Sequence, residues 1–264
     1  MPLCPKFRRM TMNPRKIAGT GQHGFTLVEL ATVLTIIALI LAGILIGKQM
    51  VQRSQAMAVV TEVESFQQAF DKFWEKYKEL PGDMIDGYAF FDLNATNLIC
   101  GTNVDINGNA AGCNGDGNGV IASPRESLRG WQHLQLAGFL SAKGTFYTGI
   151  SSVPTFNPGT NVPPSQAATP LSGPAGYKLA TGTVYTFTGH YAQLGANVAN
   201  NLTGGVLTTA DALAVDQKMD DGLAITGRVL AQNDAANGCV AANIYIRTES
   251  TATACNMVFQ LGTQ

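Results

Sequence analysis

The chain has 264 residues, 45 % hydrophobic and only 13 % charged, with 29 glycines. That is room for one large domain or two small ones, with a loop-rich, β-leaning composition. The net charge of −1 hides a split: the first 24 residues carry Lys6, Arg8, Arg9, Arg15 and Lys16 and no acid, leaving 12 basic against 18 acidic residues beyond, a balance of −6. An acidic remainder argues against nucleic acid as the main partner, because phosphate binding needs a basic surface.

The basic leader precedes Phe25 to Gly47, 23 residues in which Glu29 is the sole charge. That run is long enough to span a hydrocarbon core of about 30 Å as a helix. Its charge asymmetry follows the positive-inside pattern, which keeps the N-terminus cytoplasmic. A secretory signal would have a shorter apolar core followed by a small-residue cleavage site. Here the small residue, Gly24, comes before the apolar run, so cutting there would remove the basic charges and leave the helix in place. A carboxylate inside such a helix costs about 2.5 to 3.5 kcal/mol on insertion scales and needs a partner. The α-amino group that cleavage would create on Phe25 lies one helical turn from Glu29, in the same chain or a neighbour.

The residues Gly24-Phe25-Thr26-Leu27-Val28-Glu29-Leu30 resemble the cleavage and methylation site of type IV prepilins and type II secretion pseudopilins. The resemblance implies cleavage after Gly24 by a membrane prepilin peptidase, methylation of the Phe25 amine, and Glu29 bonding to an adjacent subunit's N-terminus. It covers residues 1 to about 55. Two departures stand out. The leader is long, with Met10 and Met12 as alternative starts, and the helix lacks the proline found in many type IV pilins, having only Gly43 and Gly47 as weak points.

Val59, Val63, Phe66, Phe70, Phe73 and Tyr77 recur at helical spacing, with Glu64, Gln68, Asp71, Lys72, Glu75 and Lys76 between them. This predicts one buried stripe continuing the first helix. Pro81 and Gly82 should end it, giving a rod from Phe25 to Glu79 about 80 Å long. The expected organisation is a leader over 1–24, a long helix over 25–80 (membrane-spanning or filament-core over 25–47, amphipathic over 48–80), and an exported head over 81–264.

The head reads as α+β: a pilin-like arrangement of long N-terminal helix packed on a mainly antiparallel sheet, with extra short helices and loops. Ser123-Pro124-Arg125-Glu126 has the form of a capping box opening a helix through Trp131, Leu134 and Leu136, which Gly138 should close. Thr208 to Met219 predicts a second helix with Gly222 as its stop. Alternation predicts one strand over Tyr177–Phe187 and another over Leu223–Val229. Ile244 and Ile246 followed by Cys255, Met257, Phe259 and Leu261 suggest a closing hairpin. The proline-rich stretch 151–176 suggests an extended surface loop.

Of five cysteines, Cys100, Cys113, Cys239 and Cys255 lie on the exported side, fitting two disulfides in an oxidising compartment. Three pairings are open. Proximity favours Cys100–Cys113 and Cys239–Cys255, because short loops close at lower entropic cost. No cysteine pair has zinc-site C-x-x-C spacing.

Oxygen-bearing side chains alternate at Asp105, Asn107 and Asn109 and recur at Asp116, as in a calcium loop. Ala110 stands where an EF-hand needs glycine, and Asn-Gly clusters also favour tight turns, the preferred reading. Asp220 and Asp221, at a helix end, form a second calcium candidate against a solvated helix terminus, again the preferred reading. No resident cofactor is expected beyond that possible Ca²⁺. His133 and His190 are expected to be structural, and Trp74 and Trp131 to pack in the core. No nucleophile–base constellation stands out, which argues against an enzyme.

These readings converge on a filament subunit stored in the inner membrane with its head in the periplasm. Its expected partners are the prepilin peptidase, other copies of itself or related pilins, and an inner-membrane assembly platform. A tip adhesin or ligand-binding minor subunit mounted on the same helix is the alternative, distinguished by its scarcity in sheared filaments.

Overall fold

The computed structural model describes residues 24–91, 113–122, 124–140, 155–168, 172–233, 238–246 and 253–262. The basic leader, Cys100, Asp105, Asn107, Asn109 and Ser123 lie outside the described residues. Contacts divide the chain into two units, Met1–Gly47 and Lys48–Gln264. The amphipathic part of the first helix therefore belongs to the same compact unit as the head.

Helix α1 runs Leu27–Tyr77, 51 residues. It stops before Pro81 because Lys78 takes φ 59°, a left-handed conformation that cannot continue a right-handed helix. In the second unit its apolar stripe is buried as the spacing predicts: Val59, Val63, Phe66, Phe70 and Phe73 are covered, joined by Ala56, Val60 and Ala69. Tyr77 is half-buried at the end of the stripe. Trp74 departs from expectation. It points away from the stripe and is 41 % exposed.

Downstream come α2 (Gly87–Phe91), α3 (Arg125–Leu136) and α4 (Thr209–Met219). In α4 the Thr208 side chain caps the Asp211 N–H, as its position before the apolar residues predicts. The strands are β1 (Ala175–Val184), β2 (Phe187–Val198), β3 (Asn201–Gly204), β4 (Val229–Asn233), β5 (Val240–Ala241), β6 (Ile244–Tyr245) and β7 (Cys255–Gln260). The main sheet is antiparallel in the order β1-β2-β7-β4, with β3 paired beyond β7 on the same edge of β2. A long helix followed by an antiparallel sheet with short helices is the expected α+β arrangement.

The α1 stripe and the sheet share one core. Phe66 stands edge-on to both Trp131 of α3 and Tyr177 of β1, each at 4.9 Å between ring centres. Polar contacts fix the register: the Gln67 side chain donates to Gln260 O at 2.9 Å, and the Tyr177 hydroxyl donates to Glu62 at 2.5 Å.

Several strand boundaries differ from the sequence pattern. The predicted Tyr177–Phe187 strand is two strands of one hairpin, with Val184 facing Phe187 across Tyr185-Thr186. Tyr185 supplies the positive φ that a two-residue loop needs, 51°, where glycine or asparagine would have announced the turn. Residues 224–228 are turns and bends, and the strand starts only at Val229. Ile244 pairs with Ala241 in a small separate ribbon, while β7 lies between β2 and β4. A central position suits β7, whose first five residues are all buried. The proline-rich stretch is also more than a surface loop, since Phe156, Val162 and Ala167 enter the core.

Candidate functional site

Within the first unit, Gly24 and Phe25 precede α1, and the apolar side chains from Leu27 to Ile46 are exposed on every face. The helix is long and apolar enough to cross a membrane. Among the described residues that surface has no partner, and it suits lipid or other apolar helices. Glu29 sits in its first turn. Its carboxylate accepts hydrogen bonds from the Thr26 N–H and hydroxyl, both at 2.9 Å, while the Glu29 N–H donates to Thr26 Oγ at 3.2 Å. This is a reciprocal capping box, legible as Thr-x-x-Glu but overshadowed by the charge argument.

In the head, the chain after α1 turns at Gly82 and binds the loop after Cys113. Gly82 has φ 100°, and a Cβ there would strike the Glu126 carbonyl. Its N–H donates to His133 Nδ1 at 3.0 Å, so the imidazole carries its proton on Nε2 and donates to Cys113 O at 2.7 Å. His133 is fully buried, and burial, then the Arg129 charge, pushes its pKa down to about 3. It is a neutral structural clamp.

Asp83, Asp116 and Glu126 converge beside that clamp, with one oxygen from each within 4.8 Å of the others. Of the calcium candidates at 105–116, Asp116 alone falls among the described residues. The acids joining it, Asp83 and Glu126, come from the turn after α1 and from α3. The sequence pattern pointed at neither as a ligand; the only local signal was the Pro-Gly-Asp turn. Backbone N–H groups already occupy much of this oxygen surface. Asp83 accepts from Asn118 and Gly119, Asp116 from Asn118, and Glu126 from Asp116 and Ala122. Glu126 thus organises the loop before α3, a longer reach than the reciprocal bond to Ser123 that a capping box implies. Burial, reinforced by Asp116 and Asp83, raises its pKa to about 7.

The second candidate brings Asp216 of α4 to Asp220 and Asp221. Asp216 is fully buried and accepts from Tyr245 Oη at 2.8 Å and the Gly222 N–H at 3.2 Å. Asp220 accepts from the Arg228 and Val229 N–H groups, and Asp221 from the Leu223 N–H and Thr226 hydroxyl. These bonds withdraw donors that a strand over 223–228 would have used, which explains the late start of β4.

Cys239 and Cys255 form a disulfide tying the β5–β6 ribbon to the first residue of β7. Cys113 is also disulfide-bonded, to a residue outside the described ones. His190 hydrogen-bonds Thr181 Oγ through Nδ1 at 2.7 Å and stands near Phe70.

Residues 19–45 match the family model described as the prokaryotic N-terminal methylation motif. The chain carries the prepilin-type cleavage and methylation domain. That motif supports a type IV pilin-like or pseudopilin precursor, and the match covers the N-terminal segment alone. It also fits a membrane-anchored precursor, in agreement with the apolar helix near the N-terminus. No curated protein and no solved structure matches the chain.

Proposed function

We propose that the chain is cleaved after Gly24 by a prepilin peptidase, methylated on the Phe25 amine, and polymerised into a type IV pilus or type II secretion pseudopilus. The observation that carries this reading is the first stretch of α1, apolar on all sides from Leu27 to Ile46, whose single anionic side chain, Glu29, sits one turn from the cleavage point. In the membrane the precursor is a single-pass protein with a cytoplasmic leader and a periplasmic head. On assembly the helix exchanges lipid for neighbouring helices, and Glu29 pairs with a neighbour's new N-terminus. That pairing sets the axial stagger and removes an unpaired charge from an apolar core.

Mass spectrometry of assembled protein tests the proposal. The expected N-terminal peptide begins at a monomethylated Phe25. An intact leader on assembled protein, or an unmodified internal start elsewhere, overturns it.

A further inference from the structure

Lys178 is a buried cation of the head without a counter-charge. It lies on β1 with 8 % of its surface exposed, on the face opposite to its neighbours Tyr177 and Leu179, which enter the core. Its ammonium makes one bond, donating to Asn201 Oδ1 at 3.0 Å, and no carboxylate among the described residues pairs with it. Buried charges are ordinarily paired, because an ion taken out of water loses its hydration without return. Burial lowers the pKa of Lys178 and so favours the neutral amine, which is the nucleophilic form.

The group facing it is held as an electrophile. Asn201 opens β3 directly after the two-residue turn Ala199-Asn200, whose φ values of 49° and 67° suit a tight hairpin. Asn201 Oδ1 also accepts the Leu202 N–H at 2.9 Å. Two donors converging on one atom identify it as the oxygen of the amide. Nδ2 is then left without a protein partner among the described residues, on a side chain open to solvent. Both reacting residues sit on strands paired to β2, Lys178 opposite Gln193 and Asn201 opposite Val198. A Cβ on Gly195 of β2 would strike the Leu202 carbonyl. The missing side chain lets the start of β3 lie close over the face that carries Lys178. Amine and carboxamide are thus held together by the sheet, at the high effective concentration that a rigid frame supplies.

We propose that Lys178 and Asn201 condense to an intramolecular isopeptide bond. The neutral Nζ attacks Asn201 Cγ, and the Nζ–Cγ bond forms as the carbonyl electron pair moves onto Oδ1. The Leu202 N–H stabilises the charge that develops there. One proton passes from Nζ to Nδ2, the carbonyl re-forms, the Cγ–Nδ2 bond breaks and ammonia leaves on the solvent side. Nothing is oxidised or reduced, and no co-reactant enters. The product replaces an unpaired buried ammonium by a neutral amide and fastens β1 to β3 across β2. This cross-link belongs to the head and is independent of the cleavage and assembly chemistry of the N-terminal segment.

Intact mass spectrometry of the full chain, purified in detergent micelles with its disulfides oxidised, tests the proposal. The expected mass is lower than that of the oxidised chain by one ammonia. Trypsin should fail to cut after Lys178, and fragmentation should find the peptides carrying Lys178 and Asn201 joined. Lys178→Met and Asn201→Ala should each restore the missing mass, and the wild-type peptides locate the bond even where a variant does not fold. Wild-type protein of full mass, in fresh and aged samples alike, overturns the proposal. So does an ammonia loss that fragmentation places at another asparagine, or one that persists in Lys178→Met.

Discussion

Thr26 and Glu29 cap each other: the carboxylate takes the Thr26 N–H and hydroxyl, and the Thr26 oxygen takes the Glu29 N–H. The acid that resembles an assembly determinant is thus also the element that starts the helix. The two roles separate by substitution, because a capping box works with glutamine as well as glutamate. Glu29→Gln should keep the amide protection of the first turn and lose filament assembly. Thr26→Ala should do the reverse, costing about 1 kcal/mol of helix-end stability while still assembling. Hydrogen exchange in micelles reads the first property and sheared-filament yield the second. Normal filament yield from Glu29→Gln would remove the charge from the assembly mechanism.

Glu62 is the polar anchor of α1 on the sheet. Its carboxylate accepts from the Tyr177 hydroxyl at 2.5 Å, Ser165 Oγ at 3.1 Å and the Gln166 N–H at 2.9 Å. Tyr177 is fully buried, and burial, then Glu62, pushes its pKa well above the ordinary tyrosine value. Tyr177→Phe should cost about 1.5 to 3 kcal/mol, the range for a hydrogen bond to a charged group. Chemical denaturation of the head measures it. A loss below about 0.5 kcal/mol would show that Ser165 and Gln166 hold Glu62 without the tyrosine.

The α1 stripe, both longer head helices and the cleavage segment were legible in the sequence because each is a local signal: 3.6-residue periodicity, a Thr cap, or a Gly-Phe junction before an apolar run. The strands were less so. Tyr185 makes a turn without glycine or asparagine, and Asp220 and Asp221 bind backbone donors over a stretch whose alternation reads as a strand. Both depend on contacts that spacing does not encode. The acid clusters were half legible for the same reason: Asp216, one helical turn before Asp220, joins Asp220 and Asp221 within one local run, whereas Asp83 and Glu126 reach Asp116 only through the fold.

The Cys239–Cys255 disulfide closes a short loop, the partners being 16 residues apart. In the chain-entropy account, a loop of about 15 residues contributes about 3 kcal/mol by restricting the unfolded chain. Cys255 is fully buried at the start of the central strand β7, so its replacement also disturbs packing. Replacing both residues by alanine should lower head stability by about 2 to 4 kcal/mol. Thermal melts of oxidised, reduced and double-alanine protein check this. Equal melting of oxidised and reduced protein would place the stability of β7 entirely in the sheet.

Glu126 gives the head a pH dependence whose sign follows from burial. Its pKa rises from 4.5 to about 7 in the fold, chiefly by burial, so the native state binds a proton that the unfolded state has already released. That contribution is fully present below about pH 4.5 and is lost as pH rises through about 7. Glutamine resembles the protonated form and does not titrate. The stability cost of Glu126→Gln should therefore be largest near pH 4.5 and shrink toward pH 7, by on the order of 1 to 2 kcal/mol after screening. His133 titrates in the opposite sense, losing stability as pH falls from 6.5 toward about 3, but it is common to both proteins and cancels in the difference. Paired denaturation curves of the two proteins across that window measure the change. A cost that grows with pH would mean that the N–H groups of Asp116 and Ala122 stabilise the charged carboxylate more than burial opposes it.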